Sequence, residues 1–385
     1  MLWTQPLGTG WSSPVVANGV AVVTDRQQGA ERVLAFSLAD GHPLWQQTRA
    51  VDFDPHPVGR RHGNGPKSTP VIDEGHVYSL GISGWLSCHE LATGTPVWQI
   101  DLPSQYGRHE PLSGGASYVN GTTNVIVPIG DSQGAPVPLF GYTGSPVVID
   151  NKVITSVGGE RGGTVMAFDK RTGAEVWRAL DENVSYSSPI VATVAGRRQV
   201  IVMTGPRVVG LDVSDGALLW SHPFQIQFDE SISTPVTAGD FVLVTGSGRP
   251  LTALRIASSA DRFTCNVAWT NDDLSSYLSS LIIRDGYVYG MNDGGEFVCI
   301  AVADGKTVWF NGSHGFYSTP LRADERLLAL NERGTLLQLA ATPRRYDLTG
   351  QWQLTDEATW TVPAVAERTL LVRSADALTC FSLAP

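Results

Sequence analysis

The chain has 385 residues, of which 42% are hydrophobic and 17% charged, and its formal net charge is −10. This acidic balance disfavours nucleic acid or anionic lipid as the main partner, because phosphate binding needs a basic face. No apolar run approaches the roughly 18 residues that a membrane-spanning helix needs. The opening MLWTQPLG lacks the charged and apolar regions of a signal peptide. The sequence therefore leaves two locations open: cytoplasmic, or periplasmic or secreted if an export signal is missing from it.

The chain is built from repeats, and each repeat begins with a small residue followed by proline. Proline suits the start of a strand because no ladder hydrogen bond is lost there. An alternating apolar strand, a glycine-rich turn, a third strand, a Thr-Gly or Asp-Gly turn and a tryptophan-bearing strand follow. The starting pairs are Ser13-Pro14, Thr69-Pro70, Ser145-Pro146, Ser188-Pro189, Thr234-Pro235, Thr319-Pro320 and Val362-Pro363, and the sixth repeat keeps the strand at Ser280-Leu281 without proline.

A fixed spacing links a small residue of the third strand to the tryptophan of the fourth. A large ring ten positions after a small residue is typical of a ring that docks across the sheet beside it and joins neighbouring repeats. We therefore interpret these tryptophans as structural. The spacing joins Ala35 to Trp45, Cys88 to Trp98, Ala167 to Trp177, Gly210 to Trp220 and Cys299 to Trp309, and longer turns separate Ala253 from Trp269 and Gln338 from Trp352.

The two ends of the chain complement each other. Cys380 occupies the small position of the last repeat with no tryptophan after it, whereas Trp3 has no strands before it. We infer that the N-terminal strand completes the last repeat and closes the ring, which removes an exposed sheet edge. The predicted fold is all-β: an eight-bladed β-propeller with four-stranded blades, in one domain over residues 1–385. Cys88, Cys299 and Cys380 take the small position of different blades, so we expect them to be buried and unbridged.

Three segments resemble the repeats of the pyrroloquinoline-quinone-like β-propeller family: GTVMAFDKRTGAEVW (163–177), RVVGLDVSDGALLW (207–220) and GEFVCIAVADGKTVWFNG (295–312). The stretches GWSSPVV and HGNGPKSTPV further resemble its single-domain bacterial members. The resemblance implies one of two roles. One is a quinoprotein alcohol dehydrogenase with a quinone and calcium in the central funnel. The other is a non-catalytic scaffold, such as the lipoprotein of the outer-membrane barrel-assembly machinery, and the fold alone does not choose between them.

The quinone chemistry of that family can be checked against the residues. The adjacent cysteine pair that covers one face of the quinone is absent, because no two cysteines here are neighbours. Calcium requires several oxygen ligands, and the acidic residues match no such pattern. Pyrroloquinoline quinone (PQQ) with calcium is therefore allowed but disfavoured as a cofactor, and no metal site is predicted.

Long loops are expected to mark the functional face. The loop over residues 52–67 combines arginines with histidine, which suits an anion or a sugar, although a solvated loop explains the same residues. The insertion over residues 103–144 contains a predicted hairpin and either caps the channel or forms a partner surface. The predicted ligand-binding residues, for which mutual pairing around a wet channel is the alternative, are Arg61, His62, Arg108, His109, Glu160, Arg161, Asp229, Glu230, Asn331 and Arg333.

The sequence favours a non-catalytic binding or scaffold protein that presents its loop face to a protein, peptide or glycan, as a monomer. The alternative is an enzyme that uses the central funnel. It would be a quinone-dependent, alcohol-dehydrogenase-like oxidoreductase or a carbohydrate-active enzyme. No nucleophile elbow or glycine-rich phosphate loop is visible, so no catalytic residue is assigned.

Overall fold

The structure is a computed structural model that describes residues 1–55, 59–107, 116–120, 123–127, 138, 140–158, 163–260 and 262–383. The side chains of residues 61, 116–120 and 123–127 lie outside the description. The strands are β1 (Trp3–Pro6), β2 (Val15–Ala17), β3 (Val20–Gln27), β4 (Ala30–Ser37), β5 (Pro43–Ala50), β6 (Val71–Asp73), β7 (His76–Leu80), β8 (Trp85–Glu90), β9 (Pro96–Asp101), β10 (Ala116–Asn120), β11 (Thr123–Val127), β12 (Val147–Ile149), β13 (Lys152–Ser156), β14 (Val165–Asp169), β15 (Glu175–Ala179), β16 (Ile190–Val194), β17 (Arg197–Met203), β18 (Arg207–Asp212), β19 (Leu218–Pro223), β20 (Val236–Ala238), β21 (Phe241–Gly246), β22 (Arg249–Ser259), β23 (Arg262–Asn271), β24 (Ile282–Arg284), β25 (Tyr287–Met291), β26 (Phe297–Ala301), β27 (Thr307–Asn311), β28 (Pro320–Ala323), β29 (Arg326–Leu330), β30 (Thr335–Ala340), β31 (Leu348–Gln353), β32 (Ala364–Ala366), β33 (Thr369–Arg373) and β34 (Ala377–Ser382).

The strands form eight four-stranded antiparallel sheets, so the predicted all-β, eight-bladed β-propeller is confirmed. Blades 1 and 2 are β2–β5 and β6–β9, blades 3 to 7 follow in order from β12 to β31, and blade 8 combines β32–β34 with β1. The predicted hairpin of the insertion is formed by β10 and β11. Helical structure in the described ranges is one short helix, α1 (Leu102–Tyr106), and 3-10 turns at Arg60–His62 and Gln227–Asp229. None of these helical segments is long and apolar enough to span a membrane.

The chain forms two compact units. Unit 1 consists of Met1–Pro189, Gln227–Asp229 and Pro363–Pro385 and contains blades 1, 2, 3 and 8; unit 2 consists of Ile190–Ile226 and Glu230–Val362 and contains blades 4 to 7. Each unit has its own core between blades. In unit 1, Leu86 of blade 2 packs in one cluster with Phe168 of blade 3, and in unit 2 Tyr289 of blade 6 packs in one cluster with Leu337 of blade 7. The single domain over residues 1–385 stays a prediction.

The tryptophan ten positions after a small residue docks on the neighbouring blade, as predicted from the spacing. Trp98 lies opposite Cys88 across β9 and β8, and its Nε1 donates a 2.9 Å hydrogen bond to the carbonyl of Lys170 in blade 3. Its ring covers the turn glycine Gly173, whose φ is +74° and where an added Cβ would lie 2.9 Å from the indole. This close approach explains why the turn sequence is Thr-Gly. The tryptophans that dock in the same way on the next blade of their unit are Trp3, Trp45, Trp269 and Trp309.

The predicted closure by the N-terminal strand is confirmed. Strand β1 pairs antiparallel with β34, with Trp3 opposite Cys380. Trp3 Nε1 donates to the carbonyl of Leu38 in blade 1 at 2.9 Å. The last blade therefore takes its docking ring from the start of the chain.

The predicted pairing of Gln338 with Trp352 is wrong. Gln338 lies opposite Gly350, and Trp352 lies opposite Leu336. Trp352 is 47% exposed, and its ring folds over Gly350, where an added Cβ would meet it at 2.2 Å. The long turn between β30 and β31 places the tryptophan two positions beyond the residue that pairs with Gln338.

The small residues before the prolines have a hydrogen-bonding role that the sequence pattern did not reveal. Their hydroxyls accept backbone N–H groups from the preceding blade, and their own N–H groups continue the chain of bonds. Ser280 keeps this role although its repeat lacks the proline. The bonds run from Ser13 N to Thr69 Oγ1, Thr69 N to Ser145 Oγ and Ser145 N to Ser188 Oγ in unit 1, and from Thr234 N to Ser280 Oγ and Ser280 N to Thr319 Oγ1 in unit 2.

Candidate functional site

Half of the predicted ligand-binding residues have described side chains: His62, Asp229, Glu230, Asn331 and Arg333. Arg61 belongs to the 3-10 turn Arg60–His62, but its side chain is not described. The ligand-binding roles of all ten residues remain predictions. Those that lie outside the described residues are Arg108, His109, Glu160 and Arg161.

In unit 1, His62, Phe140 and Tyr186 form a row of aromatic rings, and Tyr186 lies in the loop after blade 3. Its ring lies edge-on to Phe140, with ring centroids 5.7 Å apart. Phe140 in turn meets Tyr186 edge-on at 5.0 Å, and both rings are buried. Thr143 Oγ1 donates a 3.1 Å hydrogen bond to the carbonyl of Tyr186. The end of the 103–144 insertion is thus fastened to the loop that carries Tyr186.

Asp229 lies on a strained turn of unit 1. Phe228 and Asp229 both have left-handed backbone, with φ of 61° and 55°, a conformation that costs a non-glycine residue about 1 kcal/mol or more. The Asp229 carboxyl is buried and accepts a 2.8 Å hydrogen bond from Asn183 Nδ2. Burial raises the pKa of this carboxyl, and strand β10 lies against the turn. Burial therefore makes the charged form of this carboxyl less favourable than in water, and the hydrogen bond from Asn183 partly offsets this effect.

In unit 2, Glu230 is used within the protein. Its Oε1 accepts a 2.7 Å hydrogen bond from the hydroxyl of Tyr277. The Tyr277 N–H donates to Asp293 Oδ1 at 2.7 Å, and Ser275 Oγ donates to Asp293 Oδ2 at 2.6 Å. This network fastens the segment before blade 6. Glu230 accepts one of its hydrogen bonds, which agrees with the mutual pairing given above as the alternative to ligand binding.

Asn331 organises a tight turn of unit 2. Its Oδ1 accepts the N–H groups of Arg333 and Thr335 at 3.0 and 2.9 Å. Its Nδ2 donates to the carbonyl of His314 at 2.8 Å. Arg333 extends from this turn with 73% of its side chain exposed, and its Nε lies 3.2 Å from Glu332 Oε1. Of the predicted residues with described side chains, Arg333 is therefore the one most open to a partner.

An aromatic surface lies beside this turn, and the predicted set did not include it. Phe316 is 52% exposed and meets Trp360 edge-on at 5.2 Å, while Tyr317 packs on Trp360 at 5.4 Å. We call Phe316, Tyr317 and Trp360 the aromatic surface. Tyr317 and Trp360 each stand three positions before the proline that opens a repeat. The repeat alignment thus gives them equivalent positions, but exposure is not visible in it.

Glu332 holds the backbone of the loop that carries Phe316. Glu332 Oε2 accepts the N–H groups of Phe316 and Tyr317, each at 3.3 Å. Gly315 has φ of +104°, and an added Cβ would lie 2.4 Å from the Glu332 carboxylate. Only glycine allows this approach of carboxylate and loop. Glu332 therefore anchors the backbone of the loop at the exposed Phe316.

Two features of the PQQ and calcium site of the quinoprotein dehydrogenases can be checked in the described residues. Among them, no three or more His, Cys, Asp or Glu side chains are placed to hold a metal ion. Cys88, Cys299 and Cys380 are buried in three different blades, so none can form an adjacent pair. Burial raises the pKa of the Cys88 and Cys299 thiols to about 12, which keeps them unreactive.

The fold and the loop side chains define a tryptophan-docked repeat propeller, and in unit 2 the aromatic surface and the exposed Arg333, which pairs with Glu332, are open to a partner. The family model described as outer membrane protein assembly factor BamB matches residues 31–311. The chain belongs to this family, and the resemblance drawn from its repeats is confirmed.

Two relatives of known name are similar at low identity. The outer membrane protein assembly factor BamB of Nitrosomonas eutropha is 25% identical over 301 residues, which are 73% of this chain and 57% of that protein. The BamB of Shewanella oneidensis is 25% identical over 216 residues, which are 50% of this chain and 53% of that protein. The chain thus spans about half the length of the relatives it matches.

Solved structures share the fold along nearly the whole chain. BamB from Moraxella catarrhalis superposes with a TM-score of 0.65 and 16% identity, covering 99% of this chain and 98% of that one. Quinohemoprotein alcohol dehydrogenase ADHIIG from Pseudomonas putida superposes with a TM-score of 0.62 and 12% identity, covering 99% of this chain and 76% of that one. At these identities the likeness establishes the propeller fold alone.

Proposed function

We propose that this chain is a non-catalytic protein-binding propeller that docks a partner through the aromatic surface of unit 2. The observation that carries the proposal is Phe316, a large apolar side chain left 52% exposed on a loop that Glu332 and Gly315 hold rigid. Protein interfaces are enriched in Phe, Tyr, Trp and Arg at their anchoring positions. A loop whose backbone is already hydrogen-bonded loses less conformational freedom on binding than an unsupported loop. The exposed Arg333 beside it adds a hydrogen-bonding group to the same surface.

The names of the relatives support the same role. Proteins called outer membrane protein assembly factors act on other proteins, so we propose that this chain holds a polypeptide partner during such assembly.

A photo-crosslinking experiment tests the proposal. Benzoyl-phenylalanine replaces Phe316 in one variant and Phe310 in a control variant, each produced in the native host. Phe310 is 53% exposed on the outer strand β27, so it matches Phe316 in type and area. We expect one discrete adduct from position 316, with its protein identified by mass spectrometry, and little from position 310. Equal adducts at both positions, or none at 316, would contradict the proposed surface.

A second measurement addresses the enzyme alternative. Purified protein is titrated with PQQ, with and without calcium, while tryptophan fluorescence and alcohol-dependent dye reduction are followed. The proposal predicts neither calcium-dependent quenching nor dye reduction. Micromolar, calcium-dependent quenching together with dye reduction would instead establish a quinoprotein dehydrogenase.

A further inference from the structure

Five loops of unit 2 meet at one end of blades 6 and 7, and the aromatic surface lies among them. In an antiparallel blade, the turn between the second and third strands falls at the same end as the connectors to the neighbouring blades. We call these five loops the loop strip. It consists of the connectors 272–281, 312–319 and 354–362 and of the turns 292–296 and 331–334.

Hydrogen bonds join each loop of the strip to the next, and each of these bonds ends on a backbone carbonyl. They run from Asp293 N to Ser275 O at 2.8 Å, from His314 N to Gly295 O at 2.9 Å, from Asn331 Nδ2 to His314 O at 2.8 Å and from Thr359 N to Glu332 O at 3.2 Å. The loop strip is therefore one continuous surface, and Phe316 lies on its middle loop.

The loop strip is more acidic than the chain as a whole. It contains seven acidic residues and one basic residue, Arg333, whereas the chain has 37 acidic and 27 basic residues. Five of the seven acidic side chains are exposed, and they stand on both sides of the loop that carries Phe316. The seven residues are Asp272, Asp273, Asp293, Glu296, Glu332, Asp356 and Glu357.

Most of this negative charge has no cation beside it. Within the described part of the chain, one of the seven carboxylates is in an ion pair: Glu332 Oε1 lies 3.2 Å from Arg333 Nε. Other carboxylates of the strip accept hydrogen bonds from neutral donors, which leave the charge in place. Asp293 accepts a backbone N–H and a hydroxyl, and Asp273 Oδ2 accepts the hydroxyl of Thr307 at 2.5 Å. Six carboxylates of the strip are therefore available to attract a cation.

The opposite end of the same two blades carries its charge differently. The turns there are 285–286, 302–306, 324–325 and 341–347. They contain five acidic and three basic residues. Four of the five carboxylates are in ion pairs, which join Arg284 to Asp285 and Glu325, Lys306 to Asp304 and Arg345 to Asp347. Unpaired negative charge is thus concentrated on the end that carries the aromatic surface.

We propose that the loop strip binds a polypeptide segment in which lysine or arginine side chains stand beside apolar ones. The inference rests on the proposed function, in which Phe316 supplies the apolar contact, and it adds the charge of the partner. Opposite charges on the two sides of an interface speed the encounter and select the partner. The same carboxylates repel the phosphates of nucleic acids and anionic lipids, so these are not the occupant.

Two synthetic peptides test this charge preference on the full chain. One has the sequence KFKLKFK and the other QFQLQFQ, and both carry an uncharged N-terminal fluorophore and a C-terminal amide. Binding is followed by fluorescence anisotropy. We expect the lysine peptide to bind at least about tenfold more tightly than the glutamine peptide in about 20 mM sodium chloride. In about 300 mM sodium chloride the ratio should fall below about threefold, because salt screens exposed charges. A wild-type chain that binds both peptides equally in low salt, or binds neither, would overturn the inference.

Two triple variants of equal net charge locate the carboxylates that the lysine peptide uses. One neutralises exposed residues of the loop strip and the other neutralises residues of the opposite end, and circular dichroism checks that both are folded. We expect the first to weaken binding of the lysine peptide by about fivefold or more and the second by less than about twofold. Equal losses would show a response to net charge alone and would refute the loop strip as the binding surface. The variants are Asp272→Asn with Asp356→Asn and Glu357→Gln, and Asp285→Asn with Asp304→Asn and Asp324→Asn.

Phe316→Ser separates this inference from the proposed function. The proposed function predicts that this variant binds both peptides more weakly, whatever their charge. If Phe316→Ser weakens both peptides and the wild-type chain shows no preference for lysine, the basic partner is wrong and the aromatic surface stands. If Phe316→Ser changes neither peptide while the preference for lysine persists, the aromatic surface is wrong, and the combined apolar and basic segment inferred here is wrong with it.

Discussion

Docked and undocked tryptophans should differ sharply in what they contribute to stability. Trp98 is 9% exposed, covers Gly173 and donates to the carbonyl of Lys170. Trp352 is 47% exposed and folds over Gly350 of its own strand. We predict that Trp98→Ala is far more destabilising than Trp352→Ala.

The magnitudes follow from the contacts. A nearly buried tryptophan removes about 150–250 Å² from water, and its truncation to alanine costs about 3–5 kcal/mol. The Lys170 carbonyl would in addition lose its donor, at about 1 kcal/mol. We therefore expect the free energy of unfolding to fall by about 4–6 kcal/mol for Trp98→Ala. Trp352 buries only about half its surface, and its ring folds over Gly350 of its own strand, so we expect a loss of no more than about 2 kcal/mol.

Equilibrium unfolding in urea, followed by far-ultraviolet circular dichroism, measures both variants without relying on tryptophan fluorescence. Stability differences are read from the midpoints at unchanged slope. Trp98→Phe serves as an intermediate variant that keeps a ring but loses the hydrogen bond. Losses for the two alanine variants that agree within about 0.5 kcal/mol would refute the view that docked rings join the blades.

Two further predictions concern the blades. His89 is buried between Trp45 and Trp85, and burial lowers its pKa to about 4. The unfolded chain takes up the proton first, near pH 6.5, so stability falls as the pH drops from 6.5 to 4. That loss is about 2 kcal/mol at pH 5. His89→Phe should remove this part of the acid slope in thermal unfolding at pH 7.5 and 5, and an unchanged slope would show that His89 is not its source. Gly305→Ala places a Cβ 2.5 Å from the Trp269 ring at φ +73°, whereas Gly286→Ala has the same backbone strain with open space around it. The first should cost at least about 2 kcal/mol more than the second in urea unfolding, and equal costs would mean that ring contact adds nothing.

The blade architecture could be predicted because its determinants are local and repeated. Turn glycines, prolines at strand starts and a tryptophan ten positions after a small residue all act within one sheet or between neighbouring sheets. This logic located the closure of the last blade, where Trp3 faces Cys380. It failed at Trp352 because a longer turn shifted the strand by two residues, and spacing alone does not reveal register.

The candidate sites were harder to predict because exposure and desolvation are properties of the folded chain. Asn331 looked like a ligand group in the sequence, but its amide is used to hold a turn. Phe316 looked like an ordinary apolar residue, but Glu332 holds it at the surface.

The measurement that tests the central claim most directly is the affinity for the partner captured at position 316. Wild-type chain, Phe316→Ser and Phe310→Ser are compared by equilibrium binding to that purified partner. Truncating a central aromatic anchor costs about 2 kcal/mol or more. We therefore predict at least tenfold weaker binding for Phe316→Ser and less than a twofold change for the equally exposed Phe310→Ser. Equal affinities for wild type and Phe316→Ser, with both proteins folded, would contradict the account of this chain as a propeller that binds protein through its aromatic surface.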